Sequence, residues 1–126
     1  MSQKETVSKP ISYFELRTPD PSQAERFFGE LFGWRFEPVP GMSYDMLRTG
    51  GELAGGVMPT SRSGGPPLWL PYLSVDDLDA TVARTLKLGG KVLQERTEVP
   101  QEGWFAVITD PTGAPLAFWQ DAHRKG

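Results

Sequence analysis

With 126 residues the chain can bury one sizeable core but not two independent ones, and its hydrophobic and charged fractions, 38% and 23%, are those of an ordinary globular domain. A net charge of −3 without a basic run excludes a nucleic-acid surface, and no apolar run is long enough to cross a membrane. Cysteine is absent and the one histidine, His123, lies in the polar tail DAHRKG, so disulfides, thiolate chemistry, histidine triads and most transition-metal sites lack donors inside the fold.

Residues 1–9 read as a loose polar lead-in with no signal-peptide core, which gives a cytoplasmic expectation. A strand follows in ISYFELR, Ile11 to Arg17. Period two places Ile11, Tyr13, Glu15 and Arg17 on one face and Ser12, Phe14 and Leu16 on the other. Thr18-Pro19-Asp20-Pro21 stops this strand and starts a helix. Asp20 is the expected N-cap, Pro21 fits the first helical position, and Gln23 suits a capping box. Ala24, Phe27, Phe28, Leu31 and Phe32 form one apolar stripe, expected to pack into the core, and Gly33 is the expected left-handed stop.

Strands are then expected over Arg35–Val39, Ser43–Arg48 and Glu52–Met58. Two glycines inside the last, Gly55 and Gly56, mark a bulge or the close approach of another group. Residues 60–67 are small, polar and rich in glycine and proline, as in a linker, and lack the Gly-Lys-Ser/Thr ending of a phosphate loop. The pattern then restarts, with a strand over Leu68–Ser74, an N-cap at Asp76, and a helix over 77–87 carrying Leu78, Val82 and Leu86 on one side. Gly89 and Gly90 close it. Lys91–Val99, Trp104–Thr109 and Pro115–Gln120 are the remaining strands, with a turn at Pro100–Gly103 and a strong one at Asp110-Pro111-Thr112-Gly113.

Asp20 and Asp76 are 56 residues apart, as are Gly33 and Gly89. Equal offsets at both ends of an element point to a duplicated unit, β-α-β-β-β written twice, in an α+β fold richer in sheet than in helix.

TPDPSQAERFFGELFGW in the first half, with YLSVDDLDATVARTLKLGG and ITDPTGAPLAFWQ in the second, resembles the vicinal oxygen chelate superfamily. That superfamily includes glyoxalase I, bleomycin resistance proteins and extradiol dioxygenases. The resemblance implies one domain over residues 10–120: module one at 10–59, the linker at 60–67, module two at 68–120, and a polar tail at 121–126. It also implies that two βαβββ modules form a curled mixed sheet, a cup with helices outside and a ligand site within, and that the protein is a homodimer.

Metal-dependent members place four cup side chains on a divalent ion. By the resemblance these positions fall here on Tyr13, Leu70, Ala117 and a glycine within Leu53 to Val57. Leucine, alanine and glycine carry no side-chain donor, and a neutral tyrosine is a poor divalent ligand. No metal and no cofactor are therefore expected. If Tyr13 faces the cup, so do Glu15 and Arg17, with Leu70, Tyr72 and Ser74 on the facing wall and Ala117 and Trp119 on the last strand. Arg17 stands where glyoxalase I members carry an arginine that binds the glutathione carboxylate. Such a lining suits a small, partly aromatic organic molecule. The structural alternative is that Tyr13, Tyr72 and Trp119 fill the interior while Glu15–Arg17 is an ordinary ion pair.

Three functions compete. One is a metal-free binding module, as bleomycin resistance proteins are. Another is a metal-independent isomerase or lyase with Glu15 as catalytic base and Tyr13 or Tyr72 donating to a developing oxyanion. The third is a glyoxalase or dioxygenase whose metal is displaced onto Glu15 and Glu52. A metal-free small-molecule binder is the preferred reading.

Overall fold

A computed structural model describes residues 10–11, 13–60 and 65–122 of the chain. The expected lead-in, the centre of the expected linker, and the end of the tail with His123 lie outside the described residues. The element order is β1 (Tyr13–Thr18), α1 (Pro21–Phe32), β2 (Arg35–Pro38), β3 (Asp45–Thr49), β4 (Glu52–Pro59), β5 (Leu68–Ser74), α2 (Leu78–Lys87), β6 (Lys91–Val99), β7 (Gly103–Thr109) and β8 (Pro115–Asp121). This is the expected α+β class, with parallel and antiparallel strand pairs.

Two compact units divide inside β5, one covering Ser12–Pro71 and the other running from Tyr72 onward together with Ile11. In the first unit β1 lies parallel to β4, with Glu15 opposite Gly56, and β4, β3 and β2 continue antiparallel. In the second, β5 lies parallel to β8, with Tyr72 opposite Ala117, and β8, β7 and β6 continue antiparallel. Each β-α-β-β-β stretch thus pairs its first strand with its fourth, then returns by hairpins.

The ends of α1 follow from its sequence. The Asp20 carboxylate accepts from the Gln23 amide at 3.1 Å, and Pro21 occupies the first turn, where a missing N–H costs nothing. Gly33 takes the left-handed conformation, φ 75°, and its N–H bonds the Gly29 carbonyl at 2.9 Å. The apolar stripe behaves otherwise than expected. No residue of α1 is buried, and Phe27, Leu31 and Phe32 are more than half exposed. Helical periodicity identified an apolar face, but the fold does not bring enough of its own surface to cover it.

The second helix corrects the reading at its N-terminus. Its N-cap is Asp77, not Asp76: the Asp77 carboxylate accepts from the Ala80 amide at 3.0 Å. The caps are therefore 57 residues apart rather than 56. A side chain from β8 supports the same helix end, Gln120 Oε1 accepting from the Leu78 amide at 2.7 Å. Leu78 is wholly buried, and Val75, Ala106, Ile108 and Phe118 complete the core of the second unit, with Val82 at its margin. Leu86, placed by period with Leu78, is instead exposed, and buried Thr81 takes the inward position. The Thr81 hydroxyl donates to the Asp77 carbonyl at 2.8 Å, so its burial leaves no donor unmet.

The turn at Asp110 forms as its residue chemistry requires. The Asp110 carboxylate accepts from the Thr112 hydroxyl at 2.6 Å, the Thr112 amide at 2.8 Å and the Ala114 amide at 3.1 Å. These bonds, that from the Thr112 hydroxyl first, hold its pKa below the usual carboxylate value.

Leu78→Ala should cost about 2–5 kcal/mol, the range for deleting a buried leucine side chain. Leu86→Ala should cost less than about 0.5 kcal/mol. Urea unfolding with unchanged m-values measures both, and equal losses would contradict the burial described.

Candidate functional site

Alternation along β1 sends Tyr13, Glu15 and Arg17 to one face. Glu15 is only 4% exposed, so its charge needs partners. Arg17 Nε donates to Glu15 Oε1 at 2.8 Å, and the Tyr44 hydroxyl hydrogen-bonds the same carboxylate. The Tyr13 and Tyr44 hydroxyls hydrogen-bond each other. Tyr44 has one proton, and a carboxylate only accepts, so with Tyr44 donating to Glu15 it is Tyr13 that donates to Tyr44. The result is an ordered chain, Tyr13 to Tyr44 to Glu15, closed by the Arg17 cation.

Tyr44 lies just before β3, and the sequence reading passed over it. What makes room for it is Gly56, opposite Glu15 on β4. A Cβ on Gly56 would lie 1.9 Å from the Tyr44 hydroxyl oxygen, and one on Gly55 would lie 1.7 Å from the Phe14 carbonyl oxygen. The glycines in this strand had signalled a close approach, and it occurs twice: a phenol against Gly56 and the β1 backbone against Gly55.

Burial, then the charge of Glu15, raises the Tyr13 pKa. Burial, Glu15 and Tyr13 raise that of Tyr44 far more. Both phenols therefore stay protonated at neutral pH and act as hydrogen-bond donors rather than nucleophiles. The next residue, Asp45, receives a hydrogen bond from Glu25 of α1. Burial, that bond and the Asp45 charge push the Glu25 carboxyl up to about 7.

The other expected site residues are placed as follows. Leu70 is fully buried on β5 in the first unit. In the second unit Tyr72 and Ala117 are register partners and both buried, and Trp119 is two residues further along β8, on the face that carries Ala117. The Tyr72 ring is 6.3 Å from that of Phe105, the register partner of Trp119. Gly103 accommodates Trp119, since a Cβ there would lie 2.8 Å from its ring.

The superfamily's metal does not fit this donor set. Leu70, Ala117 and the glycines within Leu53 to Val57 offer no side-chain ligand atom, and the space beside Gly56 is filled by Tyr44, whose pKa is raised rather than lowered. Among the described residues no three His, Cys, Asp or Glu gather as a metal group. Glu52 does not join Glu15, because it begins β4 and stands four residues from Gly56, about 13 Å along a strand. An apolar groove of about 210 Å³ lies elsewhere, between α2 and strands of its own unit over Leu73, Val75 and Phe118, and contains none of these polar groups.

The family model for the glyoxalase-like domain matches residues 13–119. The chain belongs to the glyoxalase-like domain family. Its fold is that of the vicinal oxygen chelate superfamily, and a Mn(II)-bound glyoxalase from Novosphingobium aromaticivorans superposes with a TM-score of 0.64 at 17% identity, covering 91% of this chain and 40% of that one. Among related sequences, CFP32 of Mycobacterium tuberculosis, described as a candidate glyoxylase, is 37% identical over 122 residues, 91% of this chain and 47% of its own. The anthracycline biosynthesis protein DauV of Streptomyces sp. strain C5 is 29% identical over 132 residues, 91% of this chain and 48% of its own. This glyoxalase-like chain thus spans about half the length of these two relatives. Among the described residues no helix is long and apolar enough to cross a membrane.

Two measurements test the geometry of the site. Gly56→Ala should destabilise the protein by about 2 kcal/mol or more, the scale of an overpacked interior. In a Tyr44→Ala background the same change should cost much less. A double-mutant cycle with additive losses would rule out the Tyr44–Gly56 contact. For Glu25, the folded pKa of about 7 exceeds the ordinary 4.5, so the folded state holds an extra proton between those values. That stabilisation is full below about pH 4.5 and is lost as pH rises through 7. Glu25→Gln should flatten this part of the stability–pH curve.

Proposed function

We propose that this glyoxalase-like protein binds a small, partly aromatic organic molecule without a metal at the superfamily's usual position. The observation that carries the reading is the buried Glu15 carboxylate, fixed by Arg17 and Tyr44 and extended through Tyr13. A preorganised set of two phenols, a carboxylate and a guanidinium gives a ligand directional hydrogen bonding and aromatic surface together. The absence of side-chain donors at Leu70 and Ala117, and the filling by Tyr44 of the space beside Gly56, support the metal-free part. Similarity to a protein named for anthracycline biosynthesis fits an aromatic ligand.

A second reading, a metal-independent isomerase or lyase, draws on one specific contact. A phenol kept protonated beside a carboxylate is the donor–acceptor pair that proton transfer next to a carbonyl would use, with Glu15 as base and Tyr44 as donor to the oxyanion. Against it, the Glu15 carboxylate already accepts from Arg17 and Tyr44.

Native mass spectrometry of freshly purified protein should show added mass in the range of an organic molecule and no divalent ion. A tightly held metal on each chain would overturn the proposal. Glu15→Gln separates the two readings. A binder should lose only a few-fold in affinity, about 1 kcal/mol, whereas loss of a general base should lower turnover by about 10²–10⁴-fold.

A further inference from the structure

We propose that the groove between α2 and the strands beneath it binds a small organic carboxylate, with Arg84 as its anchor. Leu73 and Phe118 are register partners on β5 and β8, and alternation turns them away from the face that carries Tyr72, Ala117 and Trp119. The groove of about 210 Å³ over them, lined also by Val75 and Leu88, therefore shares no residue with that face of the sheet. An apolar cavity of about 150 Å³ holds a benzene ring, so this one takes a ring or a short alkyl chain with one small group attached.

The polar side chains of the groove select what that group is. Thr81 and Thr85 line it, but each hydroxyl gives its one proton to a backbone carbonyl of α2, Thr81 to that of Asp77 at 2.8 Å and Thr85 to that of Thr81 at 2.9 Å. Arg84 is the remaining side-chain donor in the lining, and it is half-buried. Its neighbours one turn away on α2 are Ala80, Thr81, Lys87 and Leu88, none of them acidic. No ion pair among the described residues involves it. A planar guanidinium fork beside an apolar floor is matched by a carboxylate, which takes two of its N–H groups at once. The negative end of the helix is muted here. The Arg84, Thr85 and Leu86 carbonyls accept from the Leu88, Gly90 and Gly89 amides at 3.0, 2.9 and 3.2 Å, and Lys87 adds a second cation to the last turn. A sugar would set hydroxyls against Leu73, Val75 and Phe118 with nothing to meet them. A neutral molecule would leave the Arg84 charge unanswered. The inference uses no residue of the Glu15 site and does not depend on what that site binds.

The test is an amide-resolved NMR titration of the full chain with phenylacetate and, separately, with phenylacetamide, for wild type and Arg84→Gln. Phenylacetate should bind wild type saturably with a dissociation constant below about 1 mM, and should shift the amides of Leu73, Val75, Phe118 and the last turn of α2. Phenylacetamide has the same size without the charge and should bind at least about 10-fold more weakly, the scale of one lost charge-assisted hydrogen bond. In Arg84→Gln the affinity for phenylacetate should fall to that for the amide. The comparison of acid and amide in wild type needs no variant, so it decides the matter even if the substitution disturbs the fold. No saturable binding up to about 10 mM, or equal affinity for acid and amide, would overturn the proposal. So would undiminished binding of phenylacetate to folded Arg84→Gln. Shifts centred on Tyr13 and Tyr44 would place the carboxylate at Arg17 in the Glu15 site and would overturn it as well.

Discussion

The first unit is arranged around one buried charge. Glu15 sits on β1 with almost no access to water, and an unpaired carboxylate there would cost several kcal/mol. The Arg17 guanidinium two residues away and the Tyr44 phenol both answer it. Tyr44 can do so only because β4 presents a glycine at the register position facing Glu15. A requirement for charge compensation on one strand thereby dictates a missing side chain on its neighbour and the course of the loop that leads into β3. The same requirement keeps the two phenols protonated, which gives the site its character as a hydrogen-bond donor.

Much of this was legible in the sequence, and the parts that were not share a cause. Local chemistry was decisive where the partner is near in sequence. Asp20 and Gly33 bound α1, Asp110 builds its turn, and period two puts Tyr13, Glu15 and Arg17 together. Where two neighbours offer the same chemistry, local reasoning had no means of choosing, and Asp77 rather than Asp76 caps α2. Tyr44 was missed because its partners Tyr13 and Glu15 are about thirty residues away, and its only trace was the glycine pair in β4.

The apolar stripe of α1 teaches a different lesson. Periodicity reports that a helix has an apolar face; it does not report how much surface the rest of the chain brings to that face. The second helix shows the complementary case. Leu86 shares the spacing of a core residue, but inward space is taken by a threonine whose hydroxyl is satisfied by its own helix. Burial is decided by neighbouring strands, and the stripe alone does not count them.

The contact between Tyr44 and Gly56 also limits where this chain can go by mutation. A histidine or glutamate introduced at position 56 would meet the phenol within bonding distance of its own Cβ, so the first step toward a metal ligand there is a clash. Removing Tyr44 first withdraws a hydrogen bond from the buried Glu15 carboxylate. Either order passes through a destabilised intermediate. The route from this arrangement to a donor-bearing β4 is a valley in sequence space, and its depth is set by one phenol packed against one glycine.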